Sequence, residues 1–321
     1  MRAYFLGVDG GQSSTTALIG DETGRVVGVG RGGPCYDAHS VRTSLDAACA
    51  QAGVVDARSV RFASAYLGFS GGPAGKESML SGMLRSERTT ITDDAAIALA
   101  GATGGEPGLV VAAGTGSIAF GRNARGGTAR AGGWGYLFGD EGGGFWIARQ
   151  ALRAALRWEE GWGVPTSLRA RLLDAAGARN MNDLLHRSYT SEFPRPRVAG
   201  LSVLVHHAAE SGDVVAAEIL DNAARELALL AVGVRGQLFA SGEPTLVTYS
   251  GGVFGSRMVL RRFDDWLASE AGVRVRSPVF PVHGAAVGAL LEAYRAVGCE
   301  GAIRGFRYPV VPGIHEHART D

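Results

Sequence analysis

The sequence has few of the features that direct a protein to a membrane or to nucleic acid. Its 321 residues include 32 basic and 31 acidic side chains, so a formal net charge of +1 leaves no basic excess to neutralise phosphates. Nucleic-acid binding is therefore not expected. No apolar run approaches the length of a membrane span, and the opening MRAYFLGVDGG predicts a strand and not a signal peptide. We expect a cytoplasmic protein with no membrane partner.

Cysteine and lysine are scarce. The three cysteines, Cys35, Cys49 and Cys299, are odd in number and show no CxxC spacing. They suit a reducing compartment and exclude a disulfide scaffold or a cysteine-rich metal site. Lys76 is the single lysine, so arginine carries nearly all the positive charge. We attribute this bias to base composition and not to function.

Glycine is abundant, and it recurs where apolar strands end. The 49 glycines include a pair at Gly10–Gly11, a GTGS turn at 114–117 and a pair at Gly251–Gly252, each directly after an apolar strand. Two runs of strands open with such a turn, and each is followed by helical patterns. This organisation predicts two related α/β domains with a boundary near 101–107.

Amphipathic patterns predict helices from residue 145 onward. They cover 145–158, about 167–173, and 201–239 with a break at 211–213. Asp213 is a plausible N-cap for the helix that follows the break. His206 and His207 are adjacent in this pattern and cannot share one helix face, so they do not predict a metal site.

The first glycine turn has the chemistry of a phosphate site. In DGGQSSTT, residues 9–16, backbone N–H groups and hydroxyls can converge on phosphate oxygens because glycine leaves room for them. Asp9, at the end of the strand, could hold a hydrated Mg²⁺ ion, which needs one carboxylate besides phosphate oxygens and water. A purely structural hairpin is the alternative. The pattern GxxxxGK[ST] is absent, so a Walker-type nucleotide site is disfavoured.

Asp94 is a candidate general base. The segment TTITDDAA predicts a strand that passes into a helix at Asp93–Asp94, where an acid can either cap the helix or accept a proton. Phosphoryl transfer to a hydroxyl needs one carboxylate that orients the attacking oxygen and takes its proton. On spacing alone, Asp93 competes with Asp94 for either role.

The loop GGWGYLFGDEGGGFW, residues 132–146, predicts a sugar site. Its glycines allow a ligand to approach the backbone closely. Its aromatic residues and the adjacent acids Asp140 and Glu141 suit a ligand with apolar faces and many hydroxyl donors. An amphipathic helix follows, so the alternative is that Asp140 only caps this helix.

The order of these motifs resembles that of one known family. DGGQSST, TDDAA, GTGS, GGWGYLFGDEG and SGGVFGS follow one another as in the BadF/BadG/BcrA/BcrD-type ATPases of the actin-like ATPase, hsp70 and sugar kinase superfamily. Within it, the chain most resembles the N-acetylglucosamine kinases, over about 5–296. The resemblance implies an α/β fold of two ribonuclease H-like domains around a central cleft. Residues 1–105, completed by a C-terminal helix at about 285–298, would form one domain, and residues 106–284, with a helical insertion, the other.

The resemblance also implies roles for individual residues. Asp94 corresponds to the presumed catalytic base for the sugar hydroxyl, and Asp9 would bind Mg²⁺. The residues that match the ATP-binding positions are Gly10, Gly11, Ser13, Thr115 and Gly116 at the phosphates, with Gly251 and Gly252 at the adenosine. Those that match the sugar-binding positions are Cys35, Asp94, Trp134, Gly135, Asp140 and Glu141.

The sequence departs from the family pattern in two places. Gln12 replaces a third glycine of the first turn, and Ser14 stands where a basic residue is common. In GGPCYD, Cys35 takes the place of an asparagine that hydrogen-bonds the sugar, and cysteine is a poor donor and acceptor. If the alignment shifts by a residue or two, Tyr36 or Asp37 fills that place, so the identity of the sugar stays open.

The activity implied by the resemblance is an ATP-dependent kinase for an amino sugar such as N-acetylglucosamine or glucosamine. The γ-phosphoryl group would pass to the C6 hydroxyl of this small-molecule partner. Two other functions stay open: an ATPase that activates a reductase or dehydratase with an iron–sulfur cluster, and a sugar-binding sensor without catalysis. Relatives of this kind are often dimers, so a homodimer is a further expectation.

Overall fold

The computed structural model describes residues 3–270, 275–279, 283–299 and 302. The chain forms two compact units. Unit 1 contains the chain up to Gly105 together with the segment from His283 onward, and unit 2 contains residues 106–282.

Unit 1 is built on a mixed sheet with helices against it. Its strands are β1 (Tyr4–Gly10), β2 (Thr15–Asp21), β3 (Val26–Gly32), β4 (Arg61–Phe62), β5 (Ser64–Phe69), β6 (Arg85–Ser86) and β7 (Thr89–Asp93). Its helices are α1 (Ala38–Gln51), α2 (Lys76–Leu80), α3 (Asp94–Thr103) and, from the end of the chain, α11 (Ala285–Arg295). The main sheet has the order β3-β2-β1-β5-β7, while β4 pairs with β6. β2 is antiparallel to β1 and β3, whereas β5 and β7 run parallel to β1, so the carboxyl ends of β1, β5 and β7 share one edge.

β1 is apolar up to Val8, which suits a strand with both faces of its sheet covered. Leu6 and Val8 belong to a core that also contains Leu45 of α1. Phe5, on the other face, belongs to a core with Leu290 of α11. Two layers of helices therefore hold the strand that carries the first glycine turn.

The helix α11 packs against the middle of β1, and glycine makes this approach possible. A Cβ atom on Gly7 would overlap the backbone nitrogen of Leu290. At the other end of α11, the Tyr294 hydroxyl donates a hydrogen bond to the backbone oxygen of Asp21 at 2.9 Å. The Phe5 and Tyr294 rings lie with their centroids 4.4 Å apart.

We predict that Gly7→Ala destabilises unit 1 by about 1–3 kcal/mol, because the added methyl group meets backbone that cannot turn aside. Chemical denaturation followed by far-ultraviolet circular dichroism measures the change. Gly236→Ala on the exposed side of a long helix is the control, since nothing lies within 4 Å of its added Cβ atom. A Gly7→Ala protein as stable as the parent would contradict the packing described for α11.

Unit 2 repeats the sheet of unit 1 and adds helices. Its strands are β8 (Gly108–Ala113), β9 (Ser117–Arg122), β10 (Thr128–Gly132), β11 (Thr245–Ser250) and β12 (Val275–Val279). Its helices are α4 (Gly144–Glu159), α5 (Leu168–Ala176), α6 (Met181–Ser188), α7 (Arg195–Gly200), α8 (Ser202–Glu210), α9 (Val214–Leu238) and α10 (Arg257–Glu270), with a 3₁₀ turn at Gly252–Gly255. The sheet order is β10-β9-β8-β11-β12, antiparallel among the first three and parallel from β8 to β12. Both sheets thus share one strand order and one set of strand directions, in agreement with the two related α/β domains that the repeated glycine turns predict.

The predicted helices of unit 2 are present, and their boundaries follow local capping. Asp213 is the N-cap of α9, as predicted, and its carboxylate accepts hydrogen bonds from the N–H groups of Val215 and Ala216, both at 3.1 Å. No pattern found in the sequence predicts β10, β12, α6 or α7. The β10 segment TARAG lacks an apolar alternation, so its pairing with β9 was not visible locally.

Candidate active site

The carboxyl edge of the unit 1 sheet carries the two acids expected to be functional. Asp9 is the penultimate residue of β1, and Asp94 begins α3 directly after β7. Because β1, β5 and β7 are parallel, both acids and the turn after β1 lie at the same edge. The two carboxylates are close enough that the charge of Asp94 raises the pKa of Asp9.

Asp94 is fixed at the N-terminus of α3 by hydrogen bonds. Its carboxylate accepts one from the Ser70 side chain and one from the backbone N–H of Ala95. Burial has the larger effect and raises the pKa of Asp94. Asp93 occupies the N-cap position, but its side chain makes no capping hydrogen bond. Asp94 therefore has the oriented carboxylate and the raised pKa that suit a proton acceptor.

Asp9 fits a divalent cation. Burial, and then the charge of Asp94, raise the pKa of Asp9 to about 6. In the described part of the chain, no cation or hydrogen-bond donor offsets this charge. Nor do the described residues contain a group of three or more His, Cys, Asp or Glu side chains placed to hold a metal. Mg²⁺ suits such a sparse site, because it binds through one or two carboxylates and takes its other ligands from water and phosphate.

The turn between β1 and β2 is a tight hairpin. The Gly11 N–H donates to the backbone oxygen of Ser14 at 2.8 Å, and the Ser13 side chain is exposed. Gly10 has no room for a side chain, because a Cβ atom there would overlap the Phe69 ring. Gln12, which replaces the expected glycine, donates from Nε2 to the Ser70 hydroxyl at 3.5 Å. Gln12, which departs from the family pattern, therefore links the turn to Ser70, the partner of Asp94.

Cys35 lies beneath this turn and not on the surface. Its side chain is 2% exposed, its N–H donates to the backbone oxygen of Gly11 at 3.0 Å, and burial raises the pKa of its thiol. Tyr36 is exposed. Asp37 is the N-cap of α1 and accepts hydrogen bonds from the N–H groups of His39 and Ser40. A contact between Cys35 and a sugar stays a prediction, and Asp37 already has a structural role.

The second glycine turn, 114–117, is joined to the start of α4. The Gly114 N–H donates to the backbone oxygen of Gly116 at 3.0 Å, which closes the turn. The Phe145 N–H then donates to the backbone oxygen of Thr115, also at 3.0 Å. The Ser117 hydroxyl donates to the backbone oxygen of Glu141 at 2.6 Å. Hydrogen bonds thus join the turn matched to phosphate binding to the loop matched to sugar binding.

Asp140 is at the centre of that structure. It is the only described residue other than glycine with a positive φ, 61°, and it is 5% exposed. Its carboxylate forms an ion pair with Arg195 of α7 and accepts a hydrogen bond from the Ser117 N–H at 3.4 Å. A Cβ atom on Gly116 would overlap the same carboxylate. The N-cap of α4 is Gly143, so the alternative that Asp140 merely caps this helix is wrong.

The remaining residues of the loop are more accessible. Trp134 is 66% exposed, and the guanidinium of Arg130 lies 5.0 Å from its ring centroid. Glu141 is half-buried. Gly135 adopts a φ of 79°, which glycine reaches at little cost. Trp134 and Glu141 are therefore accessible to a ligand, whereas Asp140 is buried and paired with Arg195.

Unit 2 also contains a cavity beside the third glycine turn of the chain, at Gly251–Gly252. Gly251, with a φ of 97°, follows β11, and a Cβ atom there would overlap the backbone of Ala113 in β8. The adjacent cavity has a volume of about 230 Å³. It is lined by Ile147, Ser202, Val203, His206, Leu220, Gly252, Val253, Gly255, Ser256 and Val259. At its polar side, the Ser256 hydroxyl and His206 Nδ1 are 3.0 Å apart.

No pattern in the sequence predicted Ser70, Arg195 or His206 as residues of the site. Ser70 is in the run FSGG that ends β5, and its position beside β1 and β7 identifies it only once the sheet order is known. Arg195 is 55 residues from Asp140, and His206 is 50 residues from Ser256. No local pattern could have paired these residues.

Two α/β units with matching sheets, each with a glycine turn after its first strand, define the two-domain fold of the actin-like ATPase and sugar kinase superfamily. The model of the BadF/BadG/BcrA/BcrD ATPase family matches residues 6–293, and the chain belongs to this family. The predicted resemblance to this family and the predicted pair of α/β domains are thereby confirmed.

Three similar proteins carry related names. An N-acetylmuramic acid/N-acetylglucosamine kinase of Clostridium acetobutylicum is 37% identical over 184 residues, which cover 56% of this chain and 60% of that protein. The N-acetyl-D-glucosamine kinase of Dictyostelium discoideum is 31% identical over 247 residues, or 70% of this chain and 77% of that protein. The crystal structure of a candidate N-acetylglucosamine kinase from Chromobacterium violaceum superposes with a TM-score of 0.70 and 26% identity, covering 90% of this chain and 98% of that one.

Among the described residues, no helix is both long and apolar enough to cross a membrane.

Proposed function

We propose that this protein is an ATP-dependent kinase that transfers the γ-phosphoryl group to the C6 hydroxyl of an amino sugar. The observation that carries the proposal is the Asp94 carboxylate, which is oriented by Ser70 and the Ala95 N–H and has a raised pKa. The names of the two curated relatives, both kinases of N-acetylglucosamine, support the same substrate class.

Asp94 would accept the proton of the attacking hydroxyl. A general base works best when its pKa is close to the working pH, and burial moves the pKa of Asp94 in that direction. The hydrogen bonds to its carboxylate fix its orientation, so the acceptor oxygen meets it in one geometry. Asp9 would be the protein ligand of Mg²⁺, which when bound neutralises charge on the phosphates.

The turns at 10–14 and 114–117 would bind phosphate oxygens through backbone N–H groups and the hydroxyls of Ser13 and Thr115. We assign the cavity beside Gly251–Gly252 to the adenine of ATP. Its walls are apolar, which suits the faces of a base, and His206 with Ser256 offers polar atoms at one side. In the loop that begins at Gly132, Trp134 and Glu141 would contact the sugar.

A screen for ADP release over amino sugars and neutral hexoses tests the proposal. We expect release that depends on both ATP and an amino sugar, with N-acetylglucosamine among the substrates. Saturable sugar binding without ADP release would instead identify a sensor. ATP hydrolysis that no sugar stimulates, from a preparation that holds an iron–sulfur cluster, would identify a reductase-activating ATPase.

Mg²⁺ affinity should depend on the ionisation of Asp9. Because the pKa of this carboxyl is raised to about 6, cation binding must displace a proton below that pH. We expect the apparent Mg²⁺ affinity, measured by calorimetry with a non-hydrolysable ATP analogue, to rise from about pH 5 to about pH 7 and then level off. In Asp9→Asn, the affinity should be lower and the pH dependence should fall to that of the nucleotide phosphates alone. Asp46→Asn, at an exposed position on α1, is the control. A Mg²⁺ affinity of the parent that does not change with pH would contradict the assignment of Asp9 as the Mg²⁺ ligand.

The same shift predicts how the free protein responds to pH. In the unfolded chain the Asp9 carboxyl ionises from about pH 4, whereas in the folded chain it stays protonated until about pH 6. The contribution of Asp9 to the free energy of unfolding therefore decreases across that window as pH rises. Asp9→Asn should abolish this part of the pH dependence.

A further inference from the structure

The polar side of the cavity beside Gly251–Gly252 is formed by a row of three side chains. The Ser256 hydroxyl is 3.0 Å from Nδ1 of His206. On the other side of the same ring, a carboxylate oxygen of Glu210 is 3.4 Å from Nε2. His206 and Ser256 line the cavity, whereas Glu210 is exposed at the end of α8. Glu210 can therefore influence a ligand in the cavity through His206.

The carboxylate determines the direction of these hydrogen bonds. An ionised Glu210 can only accept, so it favours the His206 tautomer that carries its proton on Nε2. In that tautomer, Nδ1 has a lone pair and no proton, and it accepts the hydroxyl proton of Ser256. Because a hydroxyl has one proton, Ser256 has none left to donate to a ligand.

Ser256 therefore offers an acceptor to the cavity. A hydroxyl oxygen has two lone pairs, and one of them accepts from the N–H of Val259 at 3.4 Å. The second has no partner among the described residues. Ser256 is only 8% exposed, so a ligand group that faces this oxygen has little water to bond with instead.

Ser202, the other serine that lines the cavity, is different. Its hydroxyl has no hydrogen-bond partner in the described part of the chain, so it can turn either to donate or to accept. The remaining side chains of the lining are apolar: Ile147, Val203, Leu220, Val253 and Val259. Of the two serines, Ser256 is thus the one that can tell a donor from an acceptor on the edge of a ligand.

We infer that Ser256, with its proton held by His206, selects the base of the phosphoryl donor by accepting a hydrogen bond from the exocyclic amino group of adenine. The inference rests on the proposed kinase function and on the assignment of this cavity to adenine, and it adds the residues that determine the choice of nucleotide. Hypoxanthine and guanine carry a carbonyl oxygen in place of that amino group. Two acceptors that face each other in a buried site both lack a partner, so nucleotides of these bases are rejected.

The test measures the affinities of ADP and inosine diphosphate by calorimetry, which needs no turnover. For the parent, we expect ADP to bind about 10-fold or more tightly than inosine diphosphate. Ser256→Ala removes the acceptor, so the preference should fall to within about threefold. Ser256→Thr keeps the hydroxyl and should keep the preference. Ser202→Ala should change both affinities alike and leave their ratio as in the parent.

Glu210→Met tests the direction of the hydrogen bonds without a change in the cavity or at the start of α10. Without the carboxylate, the His206 proton can move to Nδ1, and the Ser256 hydroxyl can then donate to a carbonyl oxygen. We expect inosine diphosphate to bind several-fold more tightly than to the parent, while the ADP affinity stays within about twofold. Glu218→Met, at an exposed position on α9, is the matched control for the lost charge and should change neither affinity.

Three results would overturn the inference: equal affinities of the parent for the two nucleotides, a preference that survives in Ser256→Ala, or an unchanged affinity for inosine diphosphate in Glu210→Met. Selective binding of ADP by a protein that releases no ADP in the presence of sugars would support the role of Ser256 and contradict the kinase. Sugar phosphorylation that proceeds equally well with ATP and inosine triphosphate would support the kinase and contradict the role of Ser256.

Discussion

Asp94→Asn is expected to lower ADP release by about 10²- to 10⁴-fold, the usual cost of removing a general base. The amide keeps the shape of the carboxylate and its contact with Ser70, but it cannot take the proton of the attacking hydroxyl. Sugar binding, measured by calorimetry, should be largely retained. The effect should therefore appear in kcat and much less in KM.

Asp93→Asn is the matched control for that experiment. Asp93 precedes Asp94 in the chain but makes no capping hydrogen bond, and only Asp94 accepts the bond from Ser70. We expect Asp93→Asn to keep turnover within a few-fold of the parent. If Asp94→Asn kept turnover within about tenfold, or if Asp93→Asn caused the larger loss, the assignment of the base would be wrong.

Arg195→Met should produce the largest loss of stability in unit 2. It leaves the Asp140 carboxylate, whose side chain is 7% exposed, without its partner. Removing one member of a buried ion pair costs about 3–5 kcal/mol, and the partial exposure of Arg195 places our expectation at about 3 kcal/mol. All five tryptophans lie in unit 2, so the fluorescence change on urea unfolding reports this unit directly.

The double variant Asp140→Asn with Arg195→Met separates the charge from the packing. It removes both charges and should recover about half or more of the stability lost in Arg195→Met alone. A double variant that is less stable than Arg195→Met would show that Asp140 acts through its shape or its hydrogen bond with the Ser117 N–H. Arg197→Met, an exposed neighbour on α7, should change stability by less than about 1 kcal/mol.

The repeated strand–turn segments could be predicted because their signals are local. The apolar strand before Gly10–Gly11, the strand before the GTGS turn and the passage from strand to helix at Asp93–Asp94 all occupy the predicted positions. The N-cap at Asp213 is another local signal. In each case the apolar period and the residue that ends it lie within a few positions of each other.

The contacts around the candidate site could not be predicted from such local signals. Asp140 was expected to contact a sugar or to cap α4, whereas the structure pairs it with Arg195 on a helix that the sequence analysis did not predict. Cys35 was placed in the sugar site by its position in a motif, and the structure buries its thiol among core residues. The scarcity of lysine was attributed to base composition, and the contact of Lys76 with the Cys35 carbonyl became visible only in the folded chain. Such contacts depend on sheet order and helix placement, which no single segment specifies.

In the folded chain, the two acids of the loop from Gly132 to Trp146 have different environments. Its acids do not act alike, because Asp140 is buried and paired while Glu141 is half-buried. The Ser117–Glu141 hydrogen bond ties the loop to the second glycine turn. We expect the two acids to have different roles: Asp140 stabilises the turn, and Glu141 contacts the sugar.

The most direct test of the proposed activity is the stoichiometry and position of phosphoryl transfer. The parent protein, ATP, Mg²⁺ and N-acetylglucosamine would be incubated together, and ADP and sugar phosphate would be quantified by phosphorus and proton NMR. We predict equal amounts of ADP and a single sugar phosphate whose phosphorus couples to the protons on C6. ADP without sugar phosphate, or sugar that binds and is recovered unchanged, would contradict the proposal.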